Sequence, residues 1–318
     1  MDHYQLLHLS PTSPDETAGF AAAIGFFDGV HQGHRHVLDT LKGLAAARGL
    51  RTLVITFEEH PRRVLGHANA PELLTTNEEK LQLLTESGMD ACVMLRFSKE
   101  MASLSARQFM DEYLSRQLSV RTLLIGYDHH FGRPQKGEGF AQYVEYGREL
   151  GLEVLNADQF LGADSEVALS SSTLRTWIAE GRVAEAAQGM GRPYSLVGTI
   201  VEGRQNGRKL GFPTANLRVQ HPAKLIPALG VYATRVVVDG KEYAAMTNVG
   251  CRPTLDNGID ITIESHLFDV DMDLYGRTLE LRFIERLRDE MRFPSLEALQ
   301  AQLRDDARQA RQWLSGDK

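Results

Sequence analysis

Residues 207–216 read Gly-Arg-Lys-Leu-Gly-Phe-Pro-Thr-Ala-Asn, a run whose chemistry goes beyond that of an ordinary turn. Gly207 and Gly211 allow backbone N–H groups to point at a bound anion without a side chain in the way. Thr214 and Asn216 offer oxygens of the kind that Mg²⁺ accepts, since this ion keeps several waters and takes few protein ligands. The run therefore suits a nucleoside triphosphate with Mg²⁺, although its composition alone is equally compatible with a hairpin punctuated by glycine and proline.

The composition is typical of a soluble globular protein with more than one domain. A chain of 318 residues is long for a single core, and 42% hydrophobic with 24% charged residues is an ordinary balance. The net charge of −7 and the pI near 5.9 provide no overall attraction to nucleic acid or to an anionic membrane. We therefore expect neither of them as a partner.

Signals for export or for a membrane span are not found in the sequence. No apolar run approaches the roughly 20 residues that cross a bilayer, and the first residues lack the basic and apolar regions of a signal peptide. The two cysteines, Cys92 and Cys251, lie far apart and fit neither a disulfide framework nor a metal site. These features predict a cytoplasmic protein.

The first half of the chain alternates short apolar stretches with amphipathic ones. Strands are predicted at 19–24, 51–57, 91–97, 122–126 and 152–156. Two of the intervening helices begin with capping-box patterns, Thr76 with Glu79 and Ser105 with Gln108. Such alternation predicts a parallel sheet covered by helices, in which ligands bind beyond the carboxyl ends of the strands.

The end of the first predicted strand carries a second unusual run, residues 24–34, which read Ile-Gly-Phe-Phe-Asp-Gly-Val-His-Gln-Gly-His. His31 and His34 lie on either side of Gly33, where a helix is predicted to begin. Helix N-terminal N–H groups and two imidazoles at one point form a site for a polyphosphate. A single histidine could be a surface residue without a role, but His-x-Gly-His between a strand and a helix disfavours that reading.

The sequence pattern changes near residue 187. Residues 173–190 predict a pair of helices, which the run Gly-Met-Gly-Arg-Pro-Tyr at 189–194 interrupts. We place the domain boundary there, with one domain at 1–187 and a second at 188–318. Strands of the second domain are predicted at 195–201, 232–238, 242–247, 259–268 and 278–283. Strands this close together, with no helices between them, predict a small closed barrel.

Two local signals complete the second domain. Asp239-Gly240 predicts a two-residue hairpin turn between strands. Residues 295–313 predict a terminal helix that Ser295 can cap. The apolar residues expected on one face of this helix are Leu296, Leu299, Leu303 and Ala307.

The motifs of the first half resemble those of known families. His-x-Gly-His is similar to the phosphate-binding motif of the nucleotidyltransferase superfamily, and Phe-Asp-Gly-Val-His-x-Gly-His resembles FMN adenylyltransferase domains in particular. Residues 56–61, 126–132 and 170–175 resemble further motifs of those domains. The departures from the family pattern are at Glu58, Glu59, His129 and Ser172. Class I aminoacyl-tRNA synthetases share the fold but need a Lys-Met-Ser-Lys-like loop, and the sequence contains no similar run.

This resemblance implies a Rossmann-like α/β nucleotidyltransferase domain. His31 and His34 would be catalytic and would bind the phosphates of ATP, and Asp128 would serve the flavin or nucleotide side. The other ATP and phosphate contacts implied are Gly25, Phe27, Asp28, Gly33, Ser171, Ser172 and Arg175. Taken without the resemblance, Ser170 or Ser171 could be no more than a helix N-cap.

The second half resembles the riboflavin kinases. Their pattern, Gly-Arg-x-Leu-Gly-Phe-Pro-Thr-Ala-Asn, is matched at every fixed position by residues 207–216. The resemblance implies a mainly antiparallel β-barrel with a terminal helix. It also implies a phosphate cradle made by Gly207, Arg208 and Gly211.

The remaining kinase roles are implied for four further residues. Thr214 and Asn216 would hold Mg²⁺, and Arg288 would contact the flavin. Glu264 would be the catalytic base. Without the flanking residues that match the family, Glu264 would be interpreted as an outward-facing strand residue paired with a nearby basic side chain.

Both resemblances are collinear and together cover nearly the whole chain, so the sequence is similar to the bifunctional riboflavin kinase/FMN adenylyltransferase family. That similarity implies that ATP phosphorylates riboflavin to FMN, and that a second ATP adenylates FMN to FAD with release of pyrophosphate. The expected partners are the small molecules riboflavin, FMN and ATP, and the oligomeric state stays open. Two alternatives remain: one half has lost its activity, or the chain binds flavin without catalysis.

Overall fold

The structure, a computed structural model, describes residues 4–9, 18–67, 69–126, 139–158, 160, 169–203, 211–253, 259–270 and 272–316. Of the predicted site residues, Asp128, Gly207 and Arg208 lie outside these ranges, as does His129. The chain divides into two compact units, Met1–Ser170 and Ser171–Lys318. Each unit has its own architecture.

In the described part of the first unit, six strands form one sheet. They are β1 (Tyr4–His8), β2 (Phe20–Ile24), β3 (Arg51–Phe57), β4 (Ala91–Leu95), β5 (Val120–Ile125) and β6 (Glu153–Asn156). Their spatial order is β1-β4-β3-β2-β5-β6, with β1 antiparallel to β4 and every other pair parallel. The predicted parallel sheet is therefore confirmed, and β1 is an antiparallel edge strand that the sequence pattern did not reveal.

Helices of the first unit cover both faces of this sheet. They are α1 (Gln32–Arg48), α2 (Pro61–Val64), α3 (Asn77–Glu86), α4 (Lys99–Ser103), α5 (Ala106–Phe109), which continues as a π-helix at Met110–Gln117, and α6 (Phe140–Leu150). Separate buried clusters lie on the two sides of the central strands, which are themselves almost fully buried. Both predicted capping boxes are confirmed, at Thr76 with Glu79 and at Ser105 with Gln108.

The strand order reverses next to β2. The chain passes from β2 outwards through β3 and β4 on one side, and then returns to β5 and β6 on the other. In open sheets of this type, ligands bind beyond the carboxyl ends of the strands at such a reversal. The run that follows β2 therefore starts at the position where the fold favours a binding site.

In the described part of the second unit, two helices come first in the chain, and six strands after them close into a barrel. The elements are α7 (Ser171–Ala179), α8 (Val183–Met190), β7 (Tyr194–Val201), β8 (Ala215–Val219), β9 (Gly230–Val238), β10 (Lys241–Pro253), β11 (Ile259–Leu267), β12 (Thr278–Arg288) and α9 (Leu296–Ser315). Around the barrel the order is β10-β11-β8-β7-β12-β9, with antiparallel neighbours. The predicted barrel and terminal helix are confirmed.

Three local features refine the sequence reading of this unit. Asp239 and Gly240 both adopt positive φ, 50° and 73°, as the predicted two-residue hairpin turn requires. Ser295 caps α9, as predicted, by accepting a hydrogen bond from the backbone N–H of Ala298. Leu296, predicted on the same face as Leu299, Leu303 and Ala307, is 66% exposed, and the packed part of that face lies further along α9, at Leu303 and Ala307.

Candidate active sites

The first candidate site is the histidine loop, residues 25–31, which joins β2 to α1. Its backbone enters the left-handed region at Phe27 (φ 51°), Gly29 (φ 82°) and Val30 (φ 37°). Two of these residues carry side chains that disfavour positive φ, each at a cost of order 1 kcal/mol or more. Such a loop keeps its conformation only when the surrounding structure holds it.

Asp28 supplies one of these restraints. Its side chain is 2% exposed, and its carboxylate accepts hydrogen bonds from the backbone N–H groups of Leu74 (3.1 and 3.0 Å) and Thr75 (2.9 Å). The Thr75 hydroxyl donates to the same carboxylate at 3.0 Å and accepts from the N–H of Gly29 at 2.9 Å. Because two successive loop residues are bound to one distant segment, Asp28 fixes the turn that presents the histidines.

His31 and His34 form a stacked pair at the beginning of α1. The rings are 3.7 Å apart between centroids and inclined by 19°, and His31 is 4% exposed. His31 is the N-cap of α1, because its Nδ1 accepts the backbone N–H of His34 at 3.3 Å. Since Nδ1 is the acceptor, a neutral His31 ring carries its proton on Nε2.

The space around Gly33 shows why a glycine lies between the two histidines. A Cβ at this position would lie 3.2 Å from both Nδ1 and Cε1 of His31, and 3.5 Å from the carbonyl oxygen of Leu169. The first distance is tighter than normal van der Waals contact, so a side chain here would force the His31 ring away from its capping position. The structure therefore brings His31, Gly33 and His34 together at one helix N-terminus, where positive potential favours anions.

The other residues predicted for this site lie in different settings. The ring of Phe27 is buried in the core beside His34, so Phe27 could meet a phosphate only through its backbone. Gly25 donates its N–H to the carbonyl of Ile55 at 3.0 Å and continues the sheet. Ser171, Ser172 and Arg175 begin α7 and belong to the second compact unit.

Lys80 is a residue of this region to which the sequence analysis gave no role. It lies in α3, is only 2% exposed, and its Nζ donates to Phe26 O (3.3 Å), Thr56 Oγ1 (3.2 Å) and Phe57 O (3.0 Å). Burial lowers the pKa of Lys80 to about 8, against the opposing attraction of the Asp28 carboxylate. The available signal was a lysine in the buried stripe of an amphipathic helix, a position that normally takes an apolar residue.

The second candidate site is a cavity of about 350 Å³ between one face of the barrel and α9. It is lined by Phe212, Thr214, Val231, Met246, Asn248, Glu264, His266, Arg288, Glu290, Met291, Phe293, Leu299 and Leu303. Three of the predicted kinase residues, Thr214, Glu264 and Arg288, therefore share one cavity. One part of its lining is apolar and another carries carboxylate, amide and hydroxyl groups, which suits a ligand with a flat ring and a polar chain.

Glu264 is the centre of a row of polar residues on three neighbouring strands. It lies opposite Asn216 of β8 on one side and opposite Asn248 of β10 on the other. The hydroxyl of Thr214 donates to its Oε2 at 3.2 Å. Because cross-strand partners share a face of the sheet, the barrel ladder brings Asn216 to the predicted base, and the Thr214 hydrogen bond brings the second predicted metal ligand there.

The sequence analysis missed Asn248, Glu290 and His266, which also line this cavity. A Cβ on Gly250 would lie 2.7 Å from Asn248 Nδ2 and 2.7 Å from Glu290 Oε1, so a side chain there would make these two groups move. His266 Nδ1 lies 2.8 Å from the carbonyl oxygen of Pro213 and fixes the approach to Thr214. The available signal was proximity to Glu264: His266 lies two residues after it in the sequence, and Asn248 lies opposite it on the neighbouring strand.

Arg288, predicted to contact the flavin, is hydrogen-bonded to a buried carboxylate of the terminal helix. Its guanidinium donates to the carboxylate of Asp306 in α9 through Nε (2.9 Å) and Nη2 (2.7 Å). Asp306 is 1% exposed and also accepts from Gln302 at 2.9 Å. Arg288 therefore joins the end of β12 to the terminal helix while it lines the cavity.

Comparison with known proteins assigns each unit to a family. A FAD synthetase family model matches residues 13–173, and a riboflavin kinase family model matches residues 190–314. The chain belongs to the bifunctional riboflavin kinase/FMN adenylyltransferase family. It therefore acts in flavin cofactor biosynthesis and has two transferase activities, with the histidine loop in the FAD synthetase match and Glu264 in the riboflavin kinase match.

Relatives in this family cover nearly the whole chain. The bifunctional riboflavin kinase/FMN adenylyltransferase of Escherichia coli (strain K12) is 36% identical, over 97% of this chain and 96% of the relative. The protein of the same description from Bacillus subtilis (strain 168) is 32% identical, over 95% and 94%. A crystal structure of a macrolide-efflux protein from Streptococcus pneumoniae is 29% identical, covers 96% of this chain and 97% of its own, and superposes with a TM-score of 0.83.

Two further properties bear on the chemistry of this chain. Within the described ranges, no cluster of three His, Cys, Asp or Glu side chains could hold a metal ion. Thr214 and Asn216 instead offer a hydroxyl and an amide oxygen, donors that fit a hard, largely hydrated cation such as Mg²⁺. The same ranges contain no helix with the length and apolar character of a membrane span.

Proposed function

We propose that the second unit phosphorylates riboflavin at the Glu264 row and that the first unit adenylates the resulting FMN at the histidine loop, with ATP as the donor in both reactions. The observation that supports this assignment is the pairing of Glu264 with Asn216 and Asn248 across three strands, beside Thr214. It places a general base beside oxygen ligands, and Glu264, Thr214 and Asn248 line one cavity. A non-catalytic flavin-binding protein would have no need of that combination.

In the kinase reaction, the 5′-hydroxyl oxygen of the ribityl chain attacks the γ-phosphorus of ATP, and the bond to ADP breaks. Glu264 accepts the hydroxyl proton as the new bond forms, and Thr214 orients the carboxylate through its hydrogen bond. Thr214 and Asn216 would hold Mg²⁺, which when bound neutralises charge on the phosphate oxygens. Met246, Phe293 and Leu303 provide an apolar surface for the flavin ring.

In the adenylyl transfer, a phosphate oxygen of FMN attacks the α-phosphorus of ATP, and pyrophosphate leaves. His31 and His34 donate to the phosphoryl oxygens as negative charge develops, next to the N–H groups that open α1. We assign Ser171, Ser172 and Arg175 to the departing pyrophosphate, and Asp128 to the flavin or nucleotide. Positioning and electrostatic stabilisation provide the rate, and no covalent enzyme intermediate is needed.

A single coupled assay tests this proposal. The full chain is incubated with riboflavin and Mg·ATP, and FMN and FAD are separated and quantified over time. We expect FMN to appear first and FAD to follow. A second incubation that starts from FMN isolates the adenylyl transfer, and a third with a non-hydrolysable ATP analogue is the control.

The result separates the alternatives. FMN without FAD would show a lost transferase, for which the departures at Glu58, Glu59, His129 and Ser172 would be the first suspects. FAD from FMN, but no FMN from riboflavin, would show a lost kinase. Flavin fluorescence quenching without any ATP consumption would support binding without catalysis and would contradict the proposal.

A further inference from the structure

Two parts of the segment 74–80, which the proposed reactions do not use, contact the histidine loop. Leu74 and Thr75, directly before α3, bind the Asp28 carboxylate through N–H and O–H donors. One helical turn later, Lys80 donates to the carbonyl of Phe26. The same short segment thus provides donors to two neighbouring loop residues, one through its backbone and one through a buried ammonium.

The bonds of Lys80 connect the loop to the next strand. Its acceptors are Phe26 O in the histidine loop, and Thr56 Oγ1 and Phe57 O at the carboxyl end of β3. The Thr56 hydroxyl itself donates to Phe26 O at 2.9 Å, and Lys80 Nζ lies 4.5 Å from the centre of the Phe26 ring. An ammonium has three donors, and all three have acceptors here. Lys80 therefore ties the carboxyl ends of β2 and β3 together.

A buried lysine at this position is not explained by packing. Taking a charge out of water is costly, and an apolar side chain would fit the buried stripe of α3 without that cost. Burial raises the pKa of the neighbouring Cys92 thiol to about 12, so near neutral pH Cys92 is uncharged and Asp28 is the charge that favours the ammonium. The cost of burying the Lys80 ammonium has a reason if its hydrogen bonds hold a strained loop beside a reacting centre.

We propose that Lys80 is a positioning residue for adenylyl transfer, which together with Asp28 holds the histidine loop in its strained conformation. Lys80 acts through the carbonyl of Phe26, so that His31 and His34 meet the α-phosphate in the correct place. It does not touch substrate. This inference rests on the proposed function of the first unit.

The test compares full-length Lys80→Met and Lys80→Gln with the wild type and with Lys42→Met, a control at an exposed lysine of α1 that pairs with Asp39. For each protein, kcat and KM for FMN and ATP are measured in FAD formation, per mole of folded protein, and riboflavin phosphorylation is measured in the same preparation. We expect Lys80→Met to lower kcat by on the order of 10- to 10²-fold with KM values within about threefold, because a misplaced catalytic group affects turnover first.

The Gln variant distinguishes positioning from simple loss of stability. Its amide still donates to carbonyl oxygens, so it should recover part of the lost kcat, while the kinase activity stays normal in all variants. Unchanged kcat in Lys80→Met, or equal kcat in the Met and Gln variants, would overturn the proposal.

Two further outcomes have a defined meaning: a Lys80→Met variant that does not fold, and a wild-type chain that makes no FAD. If Lys80→Met does not fold, Thr56→Val replaces it, since this change removes the hydroxyl that Lys80 and Phe26 share. A lower kcat in Thr56→Val supports the proposal, and wild-type kcat contradicts it. If the wild-type chain makes no FAD from FMN, the proposed function of the first unit fails, and the inference about Lys80 fails with it.

Discussion

The two candidate sites of this chain are held in place by different physical means. The histidine loop is an irregular segment with strained residues, restrained by its own buried Asp28 and by Lys80 of α3, each only 2% exposed. The Glu264 row lies on regular strands, where the hydrogen-bond ladder of the barrel sets which residues are neighbours. A site on strands inherits its geometry from the fold, whereas a site on a loop needs dedicated contacts.

Because of this difference, we expect the two sites to differ in their sensitivity to substitutions at residues that support a site without binding substrate. Substitutions at the buried residues that support the loop, Asp28 and Lys80, should disturb the loop site. Asp28 binds the loop to Leu74, and Lys80 binds the carbonyl of Phe26. The barrel site should respond mainly to residues that line its cavity, so the following changes test whether the two sites fail independently and in these different ways.

The largest expected effect is the complete loss of FAD formation in a fragment of the second unit. We predict that residues 171–318 fold alone and make FMN from riboflavin but no FAD, because each unit has a core of its own. The fragment 189–318 is the matched comparison. It should also make FMN, and it should melt at a lower temperature because it lacks α8, which packs against β12 and β7.

The same comparison bears on the boundary predicted near residue 187. The reciprocal fragment 1–187 should be the less stable half, because Ser171 and the helices after it belong to the compact second unit. Measurements are a thermal melt and FMN quantification by fluorescence. A cooperatively folded 171–318 fragment without kinase activity would show that the first unit contributes to the kinase site.

Glu264→Gln should lower riboflavin kinase turnover by roughly 10²- to 10⁴-fold, since an amide cannot accept the hydroxyl proton. Conversion of FMN to FAD should stay near normal, because the histidine loop belongs to the other unit. The control is Glu242→Gln, an exposed carboxylate of the same barrel that pairs with Arg235. Kinase turnover within a few-fold of the wild type would remove Glu264 from the mechanism.

Arg288→Met should destabilise the second unit by about 3–5 kcal/mol, because it leaves the buried Asp306 carboxylate without its cation. The double variant Arg288→Met with Asp306→Leu should recover much of that stability, since it removes both charges. Denaturant unfolding of the 171–318 fragment provides the values. If the double variant regains stability and still binds riboflavin normally, Arg288 holds α9 and does not contact the flavin.

His34→Ala should lower FAD formation by on the order of 10²-fold, mainly through kcat, as expected for loss of one preorganised donor. His31→Ala should have a similar effect on turnover and an additional cost of about 1 kcal/mol in stability from the lost N-cap. His31→Asn is the matched control, since its amide oxygen can accept the capping hydrogen bond while the imidazole is removed. Unchanged kcat with weaker FMN binding would place these side chains at the flavin.

The last expected effect is a dependence of stability on pH that comes from Lys80. The folded chain releases the Lys80 proton near pH 8, whereas the unfolded chain retains it up to about 10.5. Between these values the unfolded chain binds more protons, so the contribution of Lys80 to the free energy of unfolding rises with pH. Melts of wild type and Lys80→Gln between pH 7 and about pH 10 measure the difference, and a constant difference would contradict the shifted pKa.

Local signals in the sequence determined much of this protein. Periodicity, caps and turns predicted the alternating sheet unit, the closed barrel, the hairpin at Asp239 and the start of α9, because these features depend on residues a few positions apart. The motifs also located the histidine pair and the run that contains Thr214. The sequence analysis did not predict β1, which reads Tyr-Gln-Leu-Leu-His and does not alternate, or β8, whose alternating run Ala-Asn-Leu-Arg-Val overlaps the motif at 207–216.

Only the tertiary structure decided which distant residues share these sites. Asp28 meets Leu74 and Thr75, Lys80 meets Phe26, and Arg288 meets Asp306, each across 18 to 54 positions of the chain. The Glu264 row likewise depends on strand order and register, since a shift by one residue would turn its side chain to the other face. Such contacts follow from how whole elements pack, and no local pattern of residues encodes them.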